Sequence, residues 1–341
     1  MIKKIIVILF MIMLCCGCNN QEERTLNVLN WSSYIPDEII RDFERKTSIK
    51  VNYSTYSSNE ELLAKISSVK EGTYDLIFPS DYMIEIMKSK GMIETIDKSR
   101  LSNLSNLNYN FLGLSYDSGN DYSIPFLATS VVISVNTDNI KEDIISYSDL
   151  LNSKYKNDIV LIDDQRIIIG MALLACGHDM NTTSEEELND AYLWLKKLKP
   201  NIKAYDSDSP KNFLINNEAN IAVLWNAEGA IASNTNKSIK NIFPSEGFAL
   251  SIDNFAIPRG AKNKDELYEF MDYILDAQIM AQIIESYPYK TVNKKSEKYL
   301  SSEYMNNNAS NISDAIISEG YFVKNIGDKI KLYDKLWAKI K

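Results

Sequence analysis

The sequence predicts an α/β protein of two lobes, each a sheet flanked by helices, with extended segments joining them. Strand-like and helix-like segments alternate along most of the chain, which is typical of parallel sheets covered by helices on both faces. Two long extended runs interrupt this alternation. The 341 residues also exceed what one hydrophobic core usually organises, since chains commonly divide into domains beyond about 250–300 residues. Together these observations favour two lobes joined by hinge crossings.

The first α/β block begins with "LNVLN", which is a predicted strand. In the helix predicted for "PDEIIRDFERKT", Ile39, Ile40 and Phe43 share one face. "KVNYSTY" is the next strand, and "SNEELLAKISSVKEG" predicts a helix that opens on a capping box formed by Ser58 and Glu61. "YDLIFPS" and "YMIEIMKSKG" complete the block as a strand and a helix.

A second α/β block follows the long extended run "YSIPFLATSVVISVNTD", which is suited to carrying the chain to another lobe. This block contains the strands "DIVLID" and "ANIAVLWN" and the helices "QRIIIGMALLAC" and "EEELNDAYLWLKKLK". "LSIDNFAIP" predicts the return crossing. "KDELYEFMDYILDAQIMAQIIES" is the longest helical pattern, and "DKIKLYDKLWAKIK" predicts an amphipathic helix docked on the second lobe.

The predicted organisation has four parts. They are a signal peptide over residues 1–17, a tether over 18–25, a first lobe of 26–128 plus 254–305, and a second lobe of 129–253 plus 306–341. The two lobes are thus each assembled from two separate stretches of the chain. The boundaries follow from placing the extended crossings between the blocks.

The N-terminus has the features of a targeting segment. Lys3 and Lys4 precede ten uninterrupted apolar residues, which are too few to span a bilayer. Gly17-Cys18 follows and resembles a bacterial lipobox, although Cys15 stands where that motif usually has Leu. We predict lipid acylation of Cys18, which would hold the protein in the periplasm or at the outer face of the cell membrane. An ordinary cleaved secretory signal is the alternative.

Composition narrows the class of partner. The formal charge is −9 and becomes −11 once Lys3 and Lys4 are removed with the signal peptide. Such acidity disfavours nucleic acid and anionic membrane surfaces, and it suits a cationic ligand. His178 is the one histidine, and after processing Cys176 is the one cysteine besides Cys18. We therefore predict no disulfide, no metal site and no cofactor, and contact with the membrane only through the anchor.

Aromatic and acidic residues follow several predicted strands. In open α/β sheets, ligands bind beyond the carboxyl ends of the strands. The residues at these positions are Trp31 to Tyr34, Ser80 to Tyr82, Asp163, Asp164, Trp225 to Glu228, and Asp253. Because they come from both blocks, we expect them to face one another across a cleft.

Their chemistry allows two ligand classes. Aromatic faces attract ammonium groups by about 0.5–2 kcal/mol per contact, and carboxylates supply charge-assisted hydrogen bonds. Apolar ring surface between two carboxylates would hold the methylene groups of a linear diamine. Stacked aromatic rings with aspartate also suit a sugar, and composition does not separate these two classes.

Seven short motifs resemble those of one known family. "LNVLNWSSYIP", "YDLIFPSDY", "DYSIPF", "LIDDQR", "VLWNAEGA", "IDNFAIP" and "SYPY" occur in order at fitting spacings. Together they resemble the spermidine/putrescine-binding proteins of polyamine ABC transporters, from about Leu26 to the C-terminus. The resemblance implies a two-lobed periplasmic-binding-protein fold (type II), monomeric, that closes on putrescine or spermidine and delivers it to an ABC permease.

The resemblance also implies a set of ligand-binding residues. Asp164 would receive a terminal amine, Trp225 would form an aromatic wall, and Asp253 would meet an inner or second amine. The complete predicted set is Trp31, Ser32, Tyr34, Ser80, Asp81, Tyr82, Asp164, Trp225, Glu228, Asp253 and Tyr287. Asp81 and Glu228 are added because they are acids beside the matched positions.

Three positions depart from the family pattern. Ile167 replaces an expected glutamate, Ser251 an expected aromatic residue, and Val323 an expected glutamine. We hypothesise that Glu228 supplies the carboxylate lost at Ile167. The alternative is that Glu228 is a solvated residue in the first turn of a helix, where the helix dipole favours an acid.

Other functions remain open at this level. A receptor for a sugar or another small molecule on the same fold would explain the lost acid and the lost aromatic residue. An enzyme using Asp164 and Glu228 as acid and base is disfavoured, because no nucleophile or metal set accompanies them. A surface lipoprotein with a vestigial pocket is the third alternative.

Overall fold

The structure, a computed structural model, describes residues 24–341 of the chain. The predicted signal peptide and the predicted lipidation site Cys18 lie outside the described residues. Within the described range, no helix combines the length and the apolar character needed to cross a membrane.

Strands occur throughout the described chain. They are β1 (Thr25–Trp31), β2 (Lys50–Tyr56), β3 (Leu76–Ile77), β4 (Ile93–Glu94), β5 (Ile124–Asn136), β6 (Ile159–Leu161), β7 (Ile202–Tyr205), β8 (Ile221–Trp225), β9 (Ile239–Ile242), β10 (Phe248–Phe255), β11 (Ile257–Pro258), β12 (Lys290–Thr291) and β13 (Gly320–Phe322).

Helices alternate with these strands. They are α1 (Asp37–Thr47), α2 (Asn59–Ser68), α3 (Asp81–Ser89), α4 (Gln165–Ala175), α5 (Glu185–Leu198), α6 (Pro210–Ile215), α7 (Asn226–Thr235), α8 (Lys264–Ile274), α9 (Ala277–Ser286), α10 (Ser302–Asn306), α11 (Asp314–Ile317) and α12 (Ile330–Ile340). Short 3-10 helices lie at Lys98–Arg100, Ser102–Asn106, Tyr109–Phe111, Ser115–Asp117, Ser148–Leu151, Ser153–Tyr155, Lys199–Asn201, Lys294–Tyr299 and Gly327–Lys329. The predicted α/β class is therefore confirmed.

The first sheet has the order β2-β1-β3 and is parallel. Its helices cover it because their apolar residues lie on one face, as Ile39, Ile40 and Phe43 do in α1. Behind the sheet, Phe78, Phe126 and Phe255 pack with ring centroids 4.9–5.2 Å apart. Phe126 and Phe255 belong to β5 and β10, so the crossing strands are anchored in the first core.

The second sheet is mixed rather than parallel, which corrects the expectation from alternation alone. Its strand order is β13-β10-β5-β8-β6-β7, with β9 and β12 also pairing with β5. The strands β6, β7 and β8 are parallel, whereas the crossing strand β5 is antiparallel to β8 and β10. A crossing strand enters from the other lobe, and so its direction is not set by the βαβ rule.

The two predicted crossings, β5 and β10, lie side by side and share a ladder of hydrogen bonds. All thirteen residues of β5 are buried. The register shifts where Asp253 pairs with Leu127 and Asn254 with Pro125, leaving Phe126 as an extra residue. Pro125 has no N–H to donate, and a bulge at such a position bends the strand and re-aims nearby side chains.

Two hydrophobic cores occupy the molecule. The buried members of the first come from residues 26–128 and 252–304, with Ala227, and those of the second from 131–249 and 323–340. Tyr82 and Trp225 pack against both cores. The predicted lobe boundaries stay a prediction, and these two cores are the structural support for them.

The longest predicted helix is two helices. The pattern over "KDELYEFMDYILDAQIMAQIIES" divides into α8 and α9 at Leu275 and Asp276. The Asp276 side chain accepts hydrogen bonds from the backbone N–H groups of Gln278 and Ile279, at 2.8 and 3.2 Å. This cap starts a new helix, which apolar periodicity alone does not show.

Gly229 in α7 offers a test of the packing between α7 and the second sheet. A Cβ at Gly229 would lie 2.5 Å from Asn241 Oδ1 and 2.9 Å from Val132 Cγ2. We expect Gly229→Ala to lower the free energy of unfolding by about 1–3 kcal/mol, although alanine favours helices. Urea unfolding measures this change.

Gly170 in α4 is the matched control. Its added Cβ would meet chiefly Met180 Cε at 2.8 Å, the end of a flexible side chain. Gly170→Ala should therefore change stability by no more than about 1 kcal/mol. A Gly229→Ala protein as stable as the wild type would contradict the described contact with Asn241.

Candidate functional site

A cleft between the two cores brings together most of the predicted site residues. Its accessible volume is about 90 Å³, and it opens to solvent. Its lining residues are Trp31, Ser32, Tyr34, Ser57, Asn59, Ser80, Tyr82, Thr129, Ile162, Asp163, Asp164, Arg166, Ile167, Ser207, Asp208, Trp225, Ser251, Asp253, Tyr289 and Val323. The predicted residues among them are Trp31, Ser32, Tyr34, Ser80, Tyr82, Asp164, Trp225 and Asp253.

Aromatic rings form one side of the cleft. Trp31 ends β1, and its Nε1–H donates a hydrogen bond to the Phe78 carbonyl at 2.9 Å. The ring of Trp31 lies 4.6 Å from that of Tyr56 and 6.0 Å from that of Tyr34, to which it is inclined by 29°. Trp31 is half-buried and Tyr34 is buried, so these rings close the first core and also present a face to the cleft.

Asp253 lies at the base of the cleft and is only 2% exposed. Its carboxylate accepts hydrogen bonds from the Tyr34 hydroxyl and from Ser80 Oγ, both at 2.6 Å. Asn59 Nδ2 in turn donates to Ser80 Oγ at 3.0 Å. Burial raises the pKa of Asp253 to about 6, although the hydrogen bonds from Ser80 and Tyr34 oppose this rise. The two hydroxyl groups hold the Asp253 carboxylate in place. Because both are neutral, they do not compensate its negative charge.

Asp164 is contributed by the second core. It caps the N-terminus of α4, where it accepts hydrogen bonds from the backbone N–H groups of Arg166 and Ile167 at 2.8 and 3.1 Å. Burial raises its pKa to about 6, and the negative charge of Glu60 adds to the rise. Glu60 accepts a hydrogen bond from the Tyr82 hydroxyl at 3.1 Å. The negative charge of Glu60, on a helix of the first core, therefore disfavours ionisation of Asp164 at the second core.

Asp81 and Tyr287 do not line the cleft. Asp81 is buried beside it, where its Oδ1 accepts hydrogen bonds from Ser251 Oγ at 3.1 Å and the Tyr82 backbone N–H at 2.9 Å. Burial raises the pKa of Asp81 well above its usual value. Tyr287 ends α9, and its backbone N–H donates to the Ile283 carbonyl.

Tyr289 lines the cleft where the sequence predicted Tyr287. Its ring lies 4.9 Å from that of Tyr34, and it is buried. Both tyrosines belong to the motif "SYPY". Around Pro288 the chain makes a tight turn, in which the Tyr289 backbone N–H donates to the Tyr287 carbonyl at 2.7 Å. The proline between the two tyrosines was the available signal that the second could be the one reaching the site.

Glu228 does not line the cleft and is paired with a lysine. Lys211 Nζ donates to both carboxylate oxygens of Glu228 at 2.8 Å. The side chains of Lys211 and Glu228 are 22% and 14% exposed. The sequence hypothesis did not anticipate this partner, which α6 brings to α7.

Further lining residues escaped sequence reasoning. They are Ser57, Asn59, Thr129, Ile162, Arg166, Ser207, Asp208 and Tyr289. Arg166 is the notable one, because it is a cation. Its Nη2 donates to Asn181 Oδ1 and to the Lys324 carbonyl at 3.0 and 3.1 Å, and its guanidinium lies 4.9 Å from the Tyr333 ring. These contacts fix the guanidinium, and its positive charge partly opposes the rise in the pKa of Asp164.

The cleft can hold a cation with an apolar body. Asp253 and Asp164 supply negative charge from different elements, and the rings of Trp31, Trp225 and Tyr289 supply flat apolar surface. Across residues 24–341, no group of three or more His, Cys, Asp or Glu side chains is arranged to hold a metal ion. The arrangement therefore supports binding by charge and stacking.

Known proteins match both the sequence and the structure. Residues 38–310 match the family described as bacterial extracellular solute-binding protein. The spermidine/putrescine-binding periplasmic protein of Salmonella typhimurium is 37% identical over 318 residues, which cover 93% of this chain and 91% of that protein.

Two solved structures superpose on nearly the whole chain. One is the spermidine/putrescine ABC transporter substrate-binding protein of Streptococcus pneumoniae, with a TM-score of 0.81, 30% identity, and coverage of 93% of this chain and 98% of that one. The other is a lipoprotein of Treponema pallidum, with a TM-score of 0.84, 26% identity, and coverage of 93% and 99%. The resemblance and the type II periplasmic-binding-protein fold predicted from the motifs are confirmed.

The raised pKa of Asp253 predicts how stability depends on pH. The folded carboxyl, with a pKa of about 6, keeps its proton at pH values where the unfolded carboxyl has lost it. This group therefore stabilises the ligand-free fold at low pH, and that contribution is lost as the pH rises from about 4 to about 6. Asparagine does not titrate and lacks this dependence.

We expect the unfolding free energy of Asp253→Asn, minus that of the wild type, to increase by about 3 kcal/mol between pH 3.5 and pH 7. Urea unfolding of both ligand-free proteins at several pH values measures this difference. A difference that stays constant over the range would contradict the raised pKa.

Proposed function

The chain belongs to the family of bacterial extracellular solute-binding proteins, and from this premise we propose that it captures a polyamine, putrescine or spermidine, in its cleft and delivers it to an ABC permease. The relatives that support the ligand class are named spermidine/putrescine-binding proteins. Binding without catalysis is part of the proposal, because the relatives are named as binding proteins. The protein would act as a monomer.

The observation that carries the proposal is the uncompensated carboxylate of Asp253. It is buried, oriented by Tyr34 and Ser80, and open to the cleft. An ammonium group placed there would supply the missing counter-charge, and its gain would be larger than at an exposed acid because solvent screens it less. A neutral ligand would leave this charge unpaired.

The remaining residues would receive the rest of a linear amine. In this proposal Asp164 binds a terminal ammonium from the second lobe, beside Glu60 of the first. Trp31, Trp225 and Tyr289 contact the methylene groups, with cation–π attraction toward the ammonium ends. Ser32 and Tyr82 would complete the polar rim. Because Asp253 and Asp164 belong to different elements, one ligand would draw the lobes together by hinge bending.

A location outside the cytoplasm follows from the family. The Salmonella relative is named a periplasmic protein and the Treponema structure a lipoprotein. We propose that this chain is held by acyl chains on Cys18, at the periplasmic or outer face of the cell membrane.

Calorimetric titration tests the ligand class. We expect the wild-type protein to bind putrescine, cadaverine, spermidine or spermine and not a neutral monosaccharide. Asp253→Asn should weaken amine binding by about 2–5 kcal/mol, since it leaves a desolvated ammonium unpaired. Trp31→Ala should cost less, about 0.5–2 kcal/mol for the cation–π contact together with some apolar area.

Asp265→Asn is the matched control for the loss of an acid. Asp265 is an exposed partner of Arg100 outside the cleft, so its loss should change affinity by well under about 1 kcal/mol. Binding of the sugar but of no amine, or full tolerance of Asp253→Asn, would refute a polyamine ligand.

Fractionation of cells tests the anchor. Cys18→Ser should move the protein from the membrane fraction to the soluble fraction, because one acylated cysteine supplies the attachment. Cys16→Ser is the matched control and should leave the protein at the membrane. Continued membrane association of Cys18→Ser would contradict acylation at this residue.

A further inference from the structure

The ion pair of Lys211 and Glu228 joins two helices that follow cleft-lining residues in the chain. Lys211 Nζ contacts both oxygens of the Glu228 carboxylate at 2.8 Å, and the two side chains are only 22% and 14% exposed. A pair so far removed from solvent is screened less than a surface pair. Its charges therefore matter to groups nearby.

Both partners lie one helical turn from cleft-lining residues. Trp225 lines the cleft and immediately precedes α7, whose first turn carries Glu228. Ser207 and Asp208 line the cleft and shortly precede α6, whose first turn carries Lys211. The ion pair thus ties together the two chain segments that leave this end of the cleft.

The charge of Glu228 also affects a residue that lines the cleft. Tyr289 lines the cleft, and Glu228 is among the groups that raise the pKa of its hydroxyl, after burial. Burial raises the pKa of Glu228 itself, whereas the Lys211 ammonium opposes the rise. Asp206 is the further acid that acts on Glu228.

The lysine holds the position that a ligand ammonium would take at this acid. Both carboxylate oxygens already accept from Lys211, so a ligand amine could bind there only by displacing it. Asp253 and Asp164 have no such lysine donor in their described hydrogen bonds. Asp163 and Asp208 also line the cleft, but both are exposed, so solvent screens them and Asp253 and Asp164 are the two less exposed acids offered to the ends of a diamine. A third ammonium at the end of the cleft that adjoins α6 and α7 would meet the positive charge of Lys211.

We propose that Lys211 is a specificity-determining residue, which withholds Glu228 from the ligand and makes the cleft favour a diamine over a triamine. This inference rests on the proposed function, because it presumes a polyamine in the cleft. It replaces the sequence hypothesis that Glu228 binds the ligand directly. In this proposal, Glu228 would bind a ligand ammonium only if Lys211 were removed.

Lys211→Met tests the proposal, since methionine keeps much of the apolar stem and removes the charge. Titrations with putrescine and spermidine, at one pH for all variants, give the ratio of the two dissociation constants. We expect Lys211→Met to shift this ratio toward spermidine by about tenfold or more, because a freed buried carboxylate attracts the third ammonium.

Glu228→Gln should shift the ratio in the opposite direction. It leaves the Lys211 ammonium without its counter-charge, which repels a trivalent ligand more than a divalent one. The double variant Lys211→Met/Glu228→Gln should return the ratio to within about threefold of the wild type, since it removes both charges. These two variants keep the test decisive if Lys211→Met does not fold.

Lys237→Met is the matched control. Lys237 pairs with Glu303 at an exposed site, where the side chains are 72% and 59% exposed, so the ratio should not change. Folded Lys211→Met and Glu228→Gln proteins that bind both amines with the wild-type ratio would overturn this inference alone. A wild-type protein that binds no amine would overturn the proposed function as well.

Discussion

The buried carboxylate of Asp253 is the constraint on which the cleft depends. A carboxylate removed from water costs free energy unless hydrogen bonds or a counter-charge replace its hydration. Tyr34 and Ser80 replace part of that hydration, and Asn59 holds Ser80 in place. These side chains come from the segment after β1, the start of α3 and the start of α2, so three elements must be positioned for one acid. Because both donors to the carboxylate are neutral, its negative charge has no positively charged partner among these hydrogen bonds.

Local sequence patterns predicted many of the helices and strands and several of the residues that line the cleft. Apolar periodicity located α1, and strand-end position located Trp31 and Asp164, because such features depend on neighbours in the chain. The expectation that Asp253 follows a strand was wrong, because Asp253 lies inside β10, at the register shift opposite Phe126. Features that depend on distant residues were missed. The Asp276 cap divides a helix that periodicity runs together, and α6 brings Lys211 to Glu228 from 17 residues away. A local sequence pattern does not predict a contact between side chains of two different helices.

The departures from the family pattern fall at the cleft itself. Ile167, Ser251 and Val323 all line it, which supports the positions predicted for them, and their role in ligand binding stays a prediction. Ser251 Oγ donates to the buried Asp81. Glu60, in the first turn of α2, acts on Asp164 from the other core. Asp164 therefore has a second negative charge near it, contributed by a helix that packs on the first core rather than by position 167.

The pairing of β5 with β10 has a mechanical consequence. Two separate linkers could bend independently, but hydrogen-bonded neighbours form a ribbon, and a ribbon transmits torque from one end to the other. Its ladder is interrupted where Phe126 is left over opposite the step from Asp253 to Asn254, so torsion is least resisted there. The compliant point of the ribbon and the acid at the base of the cleft are thus adjacent. In the proposed hinge bending, an ammonium group bound at Asp253 would therefore act directly on the strand whose torsion changes the angle between the two cores.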